Sequence, residues 1–172
     1  MIVLVSILLL LVTMFVLDIK SRFLPLWAFP VLMMLLFLFY NSHSWKIYLF
    51  NSIVNGSVLL LMFFSLKFYF YFKNGQRTKI INEYLGLGDV FFLLGICLFF
   101  SPFNYILFIL ISMLLAITFH LFTKSKQDIP MASYFSFLLG ILLIIDYVFL
   151  EYSIINDDYL LNLLYYGTYS QW

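Results

Sequence analysis

Charge is scarce in this sequence. Nine Lys and Arg with eight Asp and Glu make up only 10% of 172 residues, and the formal net charge is +1. An ordinary soluble domain carries about a quarter of its residues charged, so this chain cannot clothe a water-facing surface. Nor does so small a balance offer the basic field that nucleic acid needs, and no nucleic-acid partner is expected. Cysteine is nearly missing too. Cys97 stands alone, which excludes an internal disulfide and any multi-cysteine zinc site; it reads as a small core residue. Histidine occurs twice, as His43 in a polar turn and His120 inside an apolar run, and both read as structural. The chain has no Ser-His pair at plausible spacing, no phosphate-binding loop, no internal repeat and no low-complexity segment. No metal and no cofactor is expected from such an inventory.

What is there is hydrocarbon. The sequence is 65% hydrophobic, with a mean hydropathy of +1.08. Several runs approach or exceed the roughly 20 residues that cross a bilayer as a helix. The fold expected is an all-α membrane protein, a polytopic bundle of about six transmembrane helices. The first run is apolar from Met1, without a basic n-region or a small-residue cleavage site, so it reads as a retained helix rather than a signal peptide.

In chain order, helix one is expected from Ile2 to Leu17, ending in Asp18, with Pro25 starting the next element. Helix two follows from Trp27 to Tyr40, and helix three from Ile47 to Leu66, fraying into Lys67 and the aromatic run Phe68 to Phe72. In helix three, Asn51 and Asn55 share a face, and Ser52-xxx-Gly56 has the small-xxx-small spacing of close helix packing; lining a polar cavity is the alternative. Residues 73–82 are polar and read as a loop. Helix four, from the Gly86-Leu87-Gly88-Asp89 turn to Phe100, is short for a span, as a helix is whose first turn lies in a wet cleft. Helix five covers Tyr105 to Phe122, and helix six runs from Met131 to Leu150 behind Ile129-Pro130. Residues 1–150 thus form one six-helix unit, with an acidic, then aromatic tail over 151–172.

Eight of the nine cations fall in or beside alternate connections of this scheme: Lys20, Arg22, Lys67, Lys73, Arg77, Lys79, Lys124 and Lys126. Only Lys46 is opposite. The positive-inside rule then puts both termini outside the cytoplasm and puts Asp18 and Asp89 together at the cytoplasmic face. A carboxylate at the edge of hydrocarbon is expensive, by about 2.5–3.5 kcal/mol on insertion scales, and a chain that keeps two at one depth has a use for them. If they meet, they cannot both be ionised cheaply, and the pair holds one proton. The charged member can activate a water while the neutral one protonates a carbonyl oxygen or leaving amine. The flanking glycines are expected to let the backbone take φ > 0 and approach another segment or a substrate strand. Of the other acids, Asp128 reads as a loop residue or N-cap, and Asp146 as interfacial near the outer end of helix six. Glu83 reads as a loop carboxylate, with an electrostatic influence on the pair as the alternative.

Two stretches carry a resemblance. Asp18-Ile19-Lys20-Ser21-Arg22-Phe23-Leu24-Pro25 and Glu83-Tyr84-Leu85-Gly86-Leu87-Gly88-Asp89-Val90 together resemble the motifs of the type IV prepilin peptidases. The short preflagellin and Flp-pilus prepilin peptidases are similar in size. Those proteins are six-helix GxGD aspartyl proteases. They carry an Asp at the end of helix one with a Pro seven positions on, a GxGD before helix four, often with a Glu six residues earlier, and an Ile-Pro with small residues opening helix six. Here the last reads Ile129-Pro130, with Gly140 further on. The resemblance implies Asp18 and Asp89 as the catalytic pair, Gly86 and Gly88 as the active-site turn, and Glu83, Pro25 and Pro130 as accessory. The substrate implied is a prepilin-like or preflagellin-like precursor cut on the cytoplasmic side, and the setting a lipid bilayer, the bacterial or archaeal cytoplasmic membrane. Phe91 stands where the family commonly has Lys, and Leu26 where it has Asn or Asp. The cysteine-rich segment of the long members, linked to methyl transfer, is absent. From another class, a non-catalytic membrane subunit or a cation or proton carrier could use the same acids. A carrier usually holds them near mid-membrane, however, and these sit at helix ends.

Overall fold

The computed structural model describes residues 1–21, 24–40, 45–74, 86–123, 131–150 and Ile155. Among them are six α-helices and no strand: α1 (Ile2–Ser21), α2 (Ala28–Phe39), α3 (Trp45–Asn74), α4 (Leu87–Ile96), α5 (Pro102–Thr123) and α6 (Met131–Ile145), the last continued by a π-helical turn, Asp146–Leu150. Four stretches are long and apolar enough to cross a membrane: Ile2–Ser21, Trp45–Lys73, Pro102–Phe119 and Met131–Val148. α2 and α4 are apolar but shorter. The protein is an all-α polytopic membrane protein.

In lipid no hydrophobic force gathers apolar helices, so association rests on close packing and on hydrogen bonds between helices. α6 is the hub, packing on α1, α4 and α5, while α2 fills in between α1 and α4. Along α1 the buried residues are Leu4, Ile7, Leu11, Met14 and Asp18. That three-and-four spacing is one face of a helix, and the opposite face, Val5, Leu9, Val12 and Val16, is exposed. Helix one therefore does not stop at Leu17. It runs on to Ser21, because nothing before Pro25 breaks it, and Asp18 continues its buried stripe. An aromatic seam joins the other members of the hub: the Phe135 ring of α6 stacks on Phe92 of α4 at 5.8 Å and meets Phe108 of α5 at 5.9 Å.

Helix three departs most from expectation. It does not fray at Leu66 but continues to Asn74, 30 residues in all, or about 45 Å at 1.5 Å per residue. No Gly or Pro interrupts Lys67 to Lys73, and the run lacks a helix breaker. The buried residues of α3, namely Tyr48, Asn51, Asn55 and Leu59, lie in its first half. Beyond them Leu60, Leu61, Phe64, Phe68 and Phe72 are exposed. The Ser52-xxx-Gly56 spacing makes no tight seam, since a Cβ on Gly56 would meet nothing within 4 Å among the described residues.

α4 is shorter than expected, ending at Ile96 rather than Phe100. Its ten residues rise about 15 Å, half the hydrocarbon thickness. A single turn then leads to α5, whose first residue, Pro102, occupies the position where a missing N–H costs nothing. Asn55 of α3 closes that turn: its Nδ2 donates to the carbonyls of Cys97 at 2.8 Å and Phe100 at 2.7 Å. From the other side, the Tyr105 hydroxyl donates to the Leu93 carbonyl at 3.1 Å. Because α5 has 22 residues, it outruns α4 toward the end where Asp89 sits. Asp146 also departs from expectation. It is fully buried rather than interfacial, and Oδ2 accepts the Tyr40 hydroxyl at 2.8 Å, so the inward stripe of α6 ends on it.

Candidate active site

α6 begins with Met131, Ala132 and Ser133, and the first N–H groups of a helix have no partner within it. A carboxylate takes one of them. Asp18, at the inner end of the α1 stripe and 8% exposed, accepts the Ser133 backbone N–H and the Ser133 hydroxyl on the same oxygen, Oδ2, each at 2.7 Å. Asp89 lies within electrostatic reach of Asp18 and of the backbone amide of Ala132, the residue before Ser133. Both acids thus lie by the first turn of α6, at the positive end of its dipole.

The local reasons for these positions differ. Asp18 is placed by helical periodicity. Asp89 is placed by its own helix start: it is the third residue of α4, and its Oδ2 accepts the N–H of Gly86, the N-cap, at 3.2 Å. That is the acid half of a capping box, a use for Asp89 within the fold in addition to any chemistry. Gly86 has φ −68° and ψ 140°, an ordinary extended conformation, and Gly88 does not lie in the left-handed region. The expected positive φ is therefore not what calls for glycine here; close approach is. A Cβ on Gly88 would lie 3.0 Å from the Leu24 Cδ1, and one on Gly86 would lie 3.0 Å from the Asp89 Oδ2. Leu24 belongs to the connection between α1 and α2, so the backbone of α4 passes directly against it.

Pro25 takes part through its carbonyl, which accepts the Ala28 N–H at 3.0 Å and opens α2. Phe91, where the resemblance has Lys, packs on Phe29 of α2 with ring centroids 5.9 Å apart. Leu26 is exposed. Glu83 and Pro130 lie outside the described residues. No group of three His, Cys, Asp or Glu comes together among the described residues; the pair offers carboxylate oxygens alone. A concavity of about 560 Å³ runs along the overhanging end of α3, lined by Ser65, Phe68, Tyr69, Phe72 and Lys73, and contains neither acid.

The model of the type IV leader peptidase family matches residues 4–121. The chain belongs to the type IV leader peptidase family. The match spans α1 through most of α5 and includes both Asp18 and Asp89, while α6 lies beyond it. No curated protein and no solved structure matches the chain. The protein is a membrane peptidase of the leader-peptidase kind, a family whose substrates are prepilin-like proteins.

Sequence reasoning missed Ser133. The available signal was its position, three residues past Pro130 in the first turn of a helix, where a donor faces outward along the axis. For Asn55 the pattern offers a packing face or the lining of a polar cavity. Its two carbonyl partners, 42 and 45 residues away, could not be read from local pattern.

Proposed function

We propose that Asp18 and Asp89 form a GxGD-type aspartyl dyad that removes the leader of prepilin-like precursors at the cytoplasmic membrane face. The observation that supports it is the convergence of both carboxylates at the first turn of α6, with Asp18 hydrogen-bonded to Ser133 and Asp89 within electrostatic reach of Asp18 and Ala132. Two like charges so placed share one proton. The ionised member takes a proton from water as its oxygen attacks the scissile carbonyl carbon. The neutral member gives its proton to the carbonyl oxygen. Collapse of the resulting diol returns that proton and passes the other to the leaving amine, so water and peptide give acid and amine and the dyad is regenerated. The short α4 and the longer α5 leave the first turn of α4 short of the bundle edge, where an extended substrate segment next to an apolar helix can reach it.

Asp18→Asn and Asp89→Asn keep size and remove ionisation. Against prepilin-like precursors from the same genome, each single variant should lose several orders of magnitude of cleavage. The double variant should be little worse, because groups acting as a unit are not additive. Wild-type cleavage should fall as the pH rises through the loss of the shared proton and should be indifferent to EDTA, since two carboxylates are too few ligands for a hard cation. Full cleavage by either single variant, or EDTA inhibition reversed by a metal, would defeat the proposal.

A further inference from the structure

The two oxygens of Asp18 are not equivalent. Oδ2 is held twice by a single residue, through the backbone N–H and the hydroxyl of Ser133, both at 2.7 Å. Oδ1 has no hydrogen-bond partner among the described residues. Ser133 itself is fully buried. Its hydroxyl has one alternative acceptor, the Phe15 carbonyl, at 3.5 Å, so the shorter bond to the carboxylate takes the proton. The neighbouring hydroxyl on this turn, Ser136, is turned back on its own helix, donating to the Ala132 carbonyl at 2.5 Å, and does not compete for Asp18.

We propose that Ser133 is a positioning residue of the dyad: its backbone N–H and hydroxyl clamp Oδ2 of Asp18, so that Oδ1 alone is presented to water. The inference rests on the dyad proposed above and adds to it a residue beyond the span shared with the family. The physical need is rotational. The last torsion of an Asp side chain is broad and roughly two-fold, and a single N–H donor allows the carboxylate to turn about the bond it makes. A second donor from the same residue, arriving from a different direction, fixes its plane. Because the clamp lies on the turn whose previous residue, Ala132, is within electrostatic reach of Asp89, one rigid element faces both acids. A fixed geometry matters here because misplacement by about 1 Å can cost on the order of a hundredfold in rate.

The test compares Ser133→Ala and Ser133→Thr with wild type and Asp18→Asn, purified from membranes in detergent, on prepilin-like precursors of the same genome. Ser133→Ala keeps the backbone donor and removes the hydroxyl; kcat should fall about ten- to a hundredfold, the worth of a hydrogen bond to a charged group. KM should stay within about twofold, because substrate does not touch a fully buried Ser133. Ser133→Thr restores the hydroxyl and should recover kcat to within about threefold of wild type. Should Ser133→Ala fail to insert, Ser133→Cys, which keeps the volume with a weaker donor, should show the same split. Wild-type kcat in Ser133→Ala or Ser133→Cys, a change confined to KM, or a Thr variant as slow as Ala would each overturn the positioning role. The two proposals fail separately: an active Asp18→Asn sinks the dyad, whereas a dead Asp18→Asn beside a fully active Ser133→Ala sinks only the clamp.

Discussion

Gly88 is the position where a single added carbon separates two accounts of the Gly86-Leu87-Gly88-Asp89 turn. If glycine were needed for a left-handed backbone, alanine would fail there as badly as valine. The structure argues for space instead. A Cβ on residue 88 would lie 3.0 Å from Leu24 Cδ1, 3.6 Å from its Cβ and 3.7 Å from its Cγ. The closest atom is the end of a flexible, half-buried side chain, which can give by a few tenths of an ångström. Replacing a helical Gly by Ala also gains about 1 kcal/mol of helix propensity. Gly88→Ala should therefore fold about as well as wild type and keep cleavage within about tenfold. Valine extends two further carbons by about 1.5 Å, toward the Leu24 Cβ and the backbone behind it, which cannot move away. Overpacking of that kind costs about 1–3 kcal/mol. Any relief by sliding α4 shifts Asp89, one residue on, and a shift of about 1 Å is worth on the order of a hundredfold in rate. Gly88→Val should stay inserted and lose cleavage by at least that factor. The assay is gel-resolved cleavage of a prepilin-like precursor, with thermal unfolding in detergent as the control for fold. Valine at wild-type activity, or alanine as inactive as valine, would refute the argument from close approach.

Asn55→Asp keeps the shape but turns a donor into an acceptor in front of the Cys97 and Phe100 carbonyls; losing both bonds should cost about 2–5 kcal/mol and lower the midpoint of thermal unfolding in detergent, and an unchanged midpoint would deny the α4–α5 turn its clasp. Tyr40→Phe removes the 2.8 Å donor to buried Asp146 and should cost about 1–3 kcal/mol with kcat unaffected, because this pair lies at the end of the bundle away from Asp18; a kcat loss without loss of stability would contradict that separation. Cysteine-accessibility labelling should find Gln76 on the cytoplasmic side and Ser44 on the other, as the cation bias requires; Gln76 outside would reverse the orientation and move the proposed cut with it.

Much of the fold could be read in one dimension because a bilayer constrains a chain in one dimension. Length, apolarity and the scarcity of charge established a polytopic helical protein, but not every helix end: α3 runs past Leu66 to Asn74 and α4 stops at Ile96. The cation bias and the Gly86-Leu87-Gly88-Asp89 turn singled out Asp18 and Asp89 before any contact was known. The inward faces were harder. Lipid and protein interior are equally apolar, so in α1 a Leu facing the core and a Leu facing hydrocarbon carry the same signal. Only the polar residues betray the inside, and Asp146 shows the limit of that clue: its place near a helix end suggested water, yet Tyr40 waits for it in the packed interior. Likewise the glycines announced a special need without saying whether it was angle or space, and only Leu24 lying against Gly88 decides it. Which acids are present, and near which helix ends they fall, is legible in one dimension. Tertiary structure alone decided that the first turn of α6 holds Asp18 and brings Asp89 near it, because the hydrogen bonds from Ser133 to Asp18 span 115 residues and no local pattern encodes a partner so distant.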